Sequence, residues 1–425
     1  MHQLFEDICH CMSKEEIYCG ELANGLKWIF VPSEGRLSHA ALMFGSGSRN
    51  ETDNETGLAH FTEHNLFKGT AKKTSLQVLS RIDSVGGELN AYTAKEETCI
   101  YASCFTQHLS RALELLSDIG FFSEFPEEEI VKEKKVVLDE IMTYEDNPSD
   151  QIFDEFDELV FGNHPIGKNI LGTRQSVNSF RRKHLKHFTG KHFRAANAVI
   201  SISGNHPLAF VKKLISTYFG ELPGGSIPSA IRRPTLAGKK IRTAGKDIQQ
   251  DYVLIGGRGP SYKNDADRLA MVLLNNLLGG PSLNNRLNLA IREKYGLTYS
   301  LESSYQAYND CGMFTVFFAT DSINTEKTLH LVYKELDKLV EKKMSERLLE
   351  TAKKQLCGSL AMSHENRQNA TISMAKSMLV YGKYDDMDSI FRKIQKTSAE
   401  KLHEVAGRYF NHHLFSTLQY TSLNK

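Results

Sequence analysis

Apolar positions along this chain change period repeatedly, and the changes mark out elements. Two apolar runs, 16–22 and 27–32, flank Asn24-Gly25, a dipeptide that tolerates the positive φ of a tight turn, so the spacing predicts a β-hairpin. A third short strand is expected at 40–45. Helical spacing then takes over through His60–His64 and again at 75–85, where Gly86-Gly87 ends it. Strands follow at 89–93 and 98–102. Helices are expected at 107–117, 126–144, 151–161 and 179–189, then a strand at 197–204 and a helix at 207–219. Strands in one meander, with helices gathered between them, predict an α+β layer and not a doubly wound sheet.

At 220–228 the periodicity stops in a Gly-, Pro- and Ser-rich stretch, and a basic run continues to Lys240. We read 220–244 as a linker between a domain at 1–219 and a second at 245–425. The second half repeats the order of the first in weaker form. It has a strand at 251–256, helices at 266–278 and 282–293, and strands at 299–305 and 313–319. Helices at 324–342, 345–363, 370–380 and 399–409 precede a closing strand at 416–420. The expected architecture is two similar domains, each a mainly antiparallel sheet covered by helices.

Composition narrows the function classes. Of 425 residues 24% are charged, but the formal net charge is only +1, so no basic excess points to nucleic acid. No stretch approaches 18 consecutive apolar residues, which argues against a membrane span. Residues 1–9 lack the basic and apolar regions of a secretory signal, and a cytoplasmic location is the expectation. Seven cysteines, at 9, 11, 19, 99, 104, 311 and 357, have no framework spacing and read as reduced thiols. Cys9-His10-Cys11 has no partner pair nearby, so a soft metal site there is rejected.

The chemistry concentrates in His60-Phe61-Thr62-Glu63-His64. At 3.6 residues per turn, positions 60, 63 and 64 share a helix face, so two imidazoles and a carboxylate point at one spot. Zinc takes imidazole nitrogens and carboxylate oxygens, and a catalytic zinc needs three protein ligands and an open position. Two histidines supply two ligands, and Glu63 can serve as general base, which implies hydrolysis. The third ligand has to come from another helix. Pro126 and Glu127–Glu129 open one, with proline and acids where the helix dipole favours them, and it carries Glu133 and Glu140 two turns apart on one face.

His60-x-x-Glu63-His64, followed 76 residues after His64 by Glu140, with Glu133 preceding on the same helix, resembles the pitrilysin/insulinase-type zinc metallopeptidases, the inverzincins. The family includes the mitochondrial processing peptidase. The resemblance implies one Zn2+ per chain held by His60, His64 and Glu140, Glu63 as general base, and Glu133 as an acid supporting the ligands from outside. It covers most of the chain and implies two similar domains forming half of a clamshell, with the metal helix only in the first; the second half has no H-x-x-E-H. Gly86–Thr93 looks like the family's edge strand, so Asn90, Ala91 and Tyr92 would bind an extended peptide as an added strand. Arg292 and Tyr299, seven apart, fit the family's pair that completes the site and would stabilise the oxyanion. Thr62 and Asn65 depart from the apolar residues common in relatives, and are expected to affect helix packing and leave the metal in place.

Such a chain would be an endopeptidase acting on short or unfolded peptides in an enclosed chamber. Because it carries both the metal motif and the Arg/Tyr pair, a homodimer is the expected assembly. The competing reading is a non-catalytic structural or substrate-holding subunit, and such members tend to lose the His60, Glu63, His64, Glu140 set that this chain keeps. A hydrolase acting on some other amide is a third. Two other motifs are set aside. Leu278–Leu287 is glycine-rich but lacks the Lys-Ser/Thr ending of a nucleotide loop. His184, His187 and His192 sit among Arg181, Arg182, Lys183, Lys186 and Lys191, a basic setting that disfavours a cation, and read as a solvated helix.

Overall fold

The computed structural model of the protein describes residues 16–226, 233–235 and 238–423. Cys9, Cys11 and the N-terminal residues weighed for a leader lie outside them. Two compact units emerge, one drawn from the spans 1–141, 169–231 and 361–389, the other from 142–168, 232–360 and 390–425. The break at 231/232 falls inside the segment read as a linker, but neither unit is one continuous stretch. Each half of the chain contributes a helical segment to the other half's unit.

In the first unit six strands form one sheet: β1 (Tyr18–Glu21), β2 (Lys27–Pro32), β3 (Leu37–Phe44), β4 (Glu88–Thr93), β5 (Thr98–Phe105) and β6 (Ala198–Gly204), ordered β1-β2-β6-β3-β5-β4. This corrects the meander. β6 inserts between β2 and β3, antiparallel to β3 but parallel to β2. Its sequence explains the position: all seven residues of AVISISG are buried, as a strand covered on both faces requires. The Asn24-Gly25 hairpin forms as expected, with Gly25 at φ +86° and Tyr18 opposite Phe30.

Side chains alternate between the two faces of this sheet. Phe30, Leu42, Phe44, Ile100 and Ile200 join one core with the helices Leu58–Leu66, Leu109–Phe122 and Leu208–Phe219. Their neighbours Ile29, Ala41, Met43, Cys99 and Val199 pack on the opposite face against Met374, Ala375 and Met378. Those three belong to the helix Arg367–Tyr381, which returns from the second half of the chain.

The second unit has five strands, β7 (Ile241–Lys246), β8 (Asp251–Gly259), β9 (Ser300–Ala307), β10 (Gly312–Thr320) and β11 (Ser416–Ser422), in the order β7-β11-β8-β10-β9. β7 occupies the end of the segment read as a linker. Its residues are mostly exposed and lack strand-like hydrophobicity, yet it pairs in parallel with β11. Ile152, Phe156 and Val160 of the helix Pro148–Phe161, borrowed from the first half, pack on Leu254, Phe317, Leu418 and Tyr420.

The helix expected at 282–293 runs over 286–295 and widens into a π-type turn at Asn288–Glu293. Before it, Gly279 and Gly280 serve packing: a Cβ on Gly279 would lie 2.6 Å from Ser303 N, and one on Gly280 2.6 Å from Asn276 O. A helix at Met387–Lys396 lies in a stretch where none was expected.

Candidate metal centre

The helix Leu58–Leu66 starts at Gly57, whose φ of +91° turns the chain sharply into it. Leu58, Phe61 and Leu66 face the core, which rotates His60, Glu63 and His64 together to the other side. Thr62 and Asn65 are fully buried, and Asn65 Nδ2 donates to the carbonyl of Phe61 at 2.7 Å, so these two polar residues belong to the packing of the helix.

The helix Glu127–Glu145 brings its acids to this face. Glu140 Oε2 lies 3.7 Å from His60 Nε2 and 3.5 Å from His64 Nε2. His64 Nδ1 is 3.5 Å from Glu133 Oε2, and Glu133 Oε1 pairs with Lys68 Nζ at 2.8 Å. Among the described residues, His60, His64 and Glu140 form the one group of this kind whose donor atoms lie within 4.8 Å of one another and could hold an ion. Donors at about 2.0–2.2 Å from a tetrahedral zinc stand about 3.4 Å apart, so these separations and the N, N, O donor set fit that metal.

Electrostatics suit the same use. Burial, then the neighbouring His64, holds His60 down to about 3, so its imidazole is neutral and its lone pair free across the physiological range. Burial also opposes charge on His64, but Glu133, Glu63 and Glu140 outweigh it and hold His64 above its usual value. Burial raises Glu63, which moves a carboxylate toward the pH where it accepts protons well.

Beside the cluster opens a cleft of about 850 Å³, lined by Glu63, His64, Phe67, Leu76, Asn90 and Tyr101 among others. Strand β4 forms one wall. It is the last strand of its sheet, and its Thr93 hydroxyl donates to Glu63 Oε2 at 3.3 Å. Asn90, Ala91 and Tyr92 lie on this edge. Arg292 and Tyr299 belong to the second unit, where the guanidinium lies 5.6 Å from the phenol ring and the tyrosine is 84% exposed.

The basic histidine run is not wholly a solvated helix. His184 Nδ1 accepts from Arg181 N at a helix start, but His192 is buried against Phe188, and burial holds it down to about 4. Sequence reasoning gave no role to Lys68, to the Thr93 hydroxyl beyond its place at the end of the edge strand, or to Glu51, which accepts from Gly57 N and Ala59 N at the start of the metal helix. Lys68 stands one turn beyond His64, a spacing that was legible. The other two act through chain reversals that no local spacing reports.

A family model described as Insulinase (Peptidase family M16) matches residues 31–174, and one described as Peptidase M16 inactive domain matches 179–356. An uncharacterized zinc protease, YmxG, of Bacillus subtilis is 33% identical over 86% of this chain and 88% of its own length. The chain belongs to the M16 peptidase family. All four motif residues fall within the first matched region, and Arg292 and Tyr299 within the second. An uncharacterized zinc protease of Rickettsia bellii is 34% identical over 94% of this chain and 96% of its own length. In fold the M16 chain is similar to a protease from Helicobacter pylori, with a TM-score of 0.88 at 21% identity over 96% of this chain and all of the other. An M16 inactive-domain protein from Pseudomonas fluorescens also gives 0.88, at 22% identity over 95% of this chain and 98% of its own.

Proposed function

We propose that this chain is a zinc-dependent endopeptidase that hydrolyses short or unfolded peptides. One observation carries the reading: two imidazole nitrogens and the Glu140 carboxylate converge within 4.8 Å, while Glu63 of the same helix lines the adjoining cleft and accepts a hydrogen bond from Thr93 of the edge strand. His60, His64 and Glu140 would hold one zinc ion per chain, which when bound supplies a Lewis acid for the scissile carbonyl and for water. Glu63 takes the proton from the attacking water and passes it to the leaving amine. Glu133 fixes the ring of His64 through Nδ1, and Lys68 fixes Glu133. The substrate lies extended along Asn90–Tyr92 as an added strand, so main-chain hydrogen bonds grip peptides of varied sequence.

Arg292 and Tyr299 would stabilise the oxyanion, donated across a homodimer. The retained set His60, Glu63, His64 and Glu140 favours this over a non-catalytic subunit. Five free thiols among the described residues suit work in the reducing cytoplasm. Among those residues no helix is long and apolar enough to cross a membrane.

Peptide cleavage by the purified chain with stoichiometric zinc, beside Glu63→Gln and with metal content assayed in both, tests the reading. Cleavage lost in the variant while zinc stays bound supports it. Zinc retained by the wild type with no cleavage across a broad peptide library favours the binding-subunit alternative. If neither protein holds zinc, the ligand assignment is wrong.

A further inference from the structure

The segment Ser46–Glu51 connects β3 to the short turns before the metal helix, and it is buried to a degree unusual for a connection. Ser46, Ser48, Arg49 and Glu51 are all 5% exposed or less. At its far end the two Glu51 carboxylate oxygens accept from Gly57 N at 2.9 Å and Ala59 N at 2.7 Å. These N–H groups belong to the helix start, which leaves its first donors without backbone partners. The preceding residue, Gly57, has no side chain to cap them.

The near end of the same segment is stitched to residues 94–97, the turn between β4 and β5. Ser48 N donates to Ala94 O at 3.1 Å and Arg49 N to Lys95 O at 2.7 Å. The Arg49 guanidinium pairs with Glu96, and Thr98 Oγ1 donates to Ser46 O at 2.8 Å. Gly47 permits the approach, since a Cβ there would fall 2.1 Å from Ala94 O. One strap therefore grips both the helix that carries the histidines and the turn that carries the edge strand.

We propose that Glu51 is a positioning residue of the metal centre. Its carboxyl holds the first turn of the His60–His64 helix in register with strand β4, so the donor cluster and the strand that receives the peptide keep a fixed separation. The inference rests on the reading above, that this helix holds zinc and β4 the substrate. Two oxygens accept two N–H groups at once, and these bonds at the helix start only partly offset the burial that pushes the Glu51 carboxyl up to about 8. A glutamine keeps the shape but has one acceptor oxygen, and its amide NH2 would face the second N–H.

The test compares the wild-type full chain, Glu51→Gln and a control, Ile215→Val, which trims a buried side chain in the helix Leu208–Phe219. Zinc affinity is measured by competition with a chromophoric chelator, beside the thermal midpoint and, where the wild type cleaves peptide, kcat and KM. Glu51→Gln is expected to weaken zinc roughly 10-fold, the scale seen when groups that orient ligands are removed. The control loses thermal stability and keeps its zinc affinity. A Glu51→Gln protein that melts lower yet binds zinc as tightly as wild type overturns the proposal, because Glu51 is then only a helix cap. Should that variant not fold, Gly47→Ala strikes the strap from its other end; weakened zinc supports the proposal and unchanged affinity overturns it. A wild type that binds zinc but cleaves nothing sinks the proposed activity and leaves the affinity comparison decisive.

Discussion

The two units use one strand plan and differ in what they hang on it. Omitting β1, the order β2-β6-β3-β5-β4 in the first corresponds to β7-β11-β8-β10-β9 in the second, down to one parallel pair at the same place in each. Between β3 and β4 the first unit inserts the helix Leu58–Leu66; between β8 and β9 the second inserts Asp265–Gly279. The second helix is a packing helix. Its buried positions are mostly Ala, Leu and Met, and its buried Asp267 is neutralised by Lys401 at 2.6 Å and by Arg408. The first helix buries His60 and Glu63, at 8% and 9% exposure, against other titratable groups that do not cancel them. Burial outweighs these partners and shifts both pKa values away from their ordinary range, as happens often at functional sites. On one strand plan, the second unit's helix packs, while the first unit's presents His60, Glu63 and His64 to Glu140 of the helix Glu127–Glu145.

If the first unit alone carries the chemistry, Glu63→Gln removes roughly 10²–10⁴-fold of kcat, the range for a lost general base, and changes in the second unit do little. Arg292 and Tyr299 sharpen that division. On the proposed function, Arg292→Lys and Tyr299→Phe each lower kcat by about 10²-fold, as loss of an oxyanion donor does, with zinc content and thermal midpoint unchanged. Steady-state kinetics with metal analysis reads this. Wild-type kcat in both variants would make the second unit scaffold only.

Much of this difference was legible in the sequence, because it rests on local periodicity. His60, Glu63 and His64 share a face by spacing alone, and Glu133 and Glu140 do likewise. The hairpin at Asn24-Gly25 follows from turn chemistry. Long-range placement was not legible. Nothing local says that β6 inserts between β2 and β3, since a buried strand reads the same wherever it pairs. The exchange of Pro148–Phe161 and Arg367–Tyr381 between units was equally hidden, because an amphipathic helix does not encode which sheet it covers. β7 escaped because an exposed edge strand needs little hydrophobicity, and Glu51 because a cap on a helix six residues away depends on an intervening loop.

A smaller effect tests how the first helix is held. Glu133 reaches His64 Nδ1 and is bonded to Lys68, and these partners keep its carboxyl below the usual range despite burial. Glu133→Gln is expected to weaken zinc roughly 10-fold with little change in KM. Chelator competition at two pH values adds a second readout. His64 must shed a proton to ligate, so zinc affinity falls as the pH drops, and removing the carboxylate that raises His64 makes that fall shallower. An unchanged slope would mean Glu133 does not act on this ring.

The smallest effect compares two histidines buried for different reasons. His60 is buried beside His64, Glu63 and Glu140; His192 is buried against Phe188, and its Nδ1 is without a hydrogen-bond partner. Burial lowers His192 from 6.5 to about 4. A base with a depressed native pKa binds fewer protons folded than unfolded, so its stability contribution is full above 6.5 and is lost as the pH falls toward 4. Thermal midpoints from pH 7 to 4 should therefore fall more steeply for wild type than for His192→Gln, in zinc-free protein so that the ligand histidines add the same background to both. Parallel curves would show that His192 is protonated in the fold as readily as in the unfolded chain. Its burial would then not separate it from the cluster, and the contrast between a packing histidine and a ligating one would rest on His60 and His64 having Glu140 within 3.7 Å.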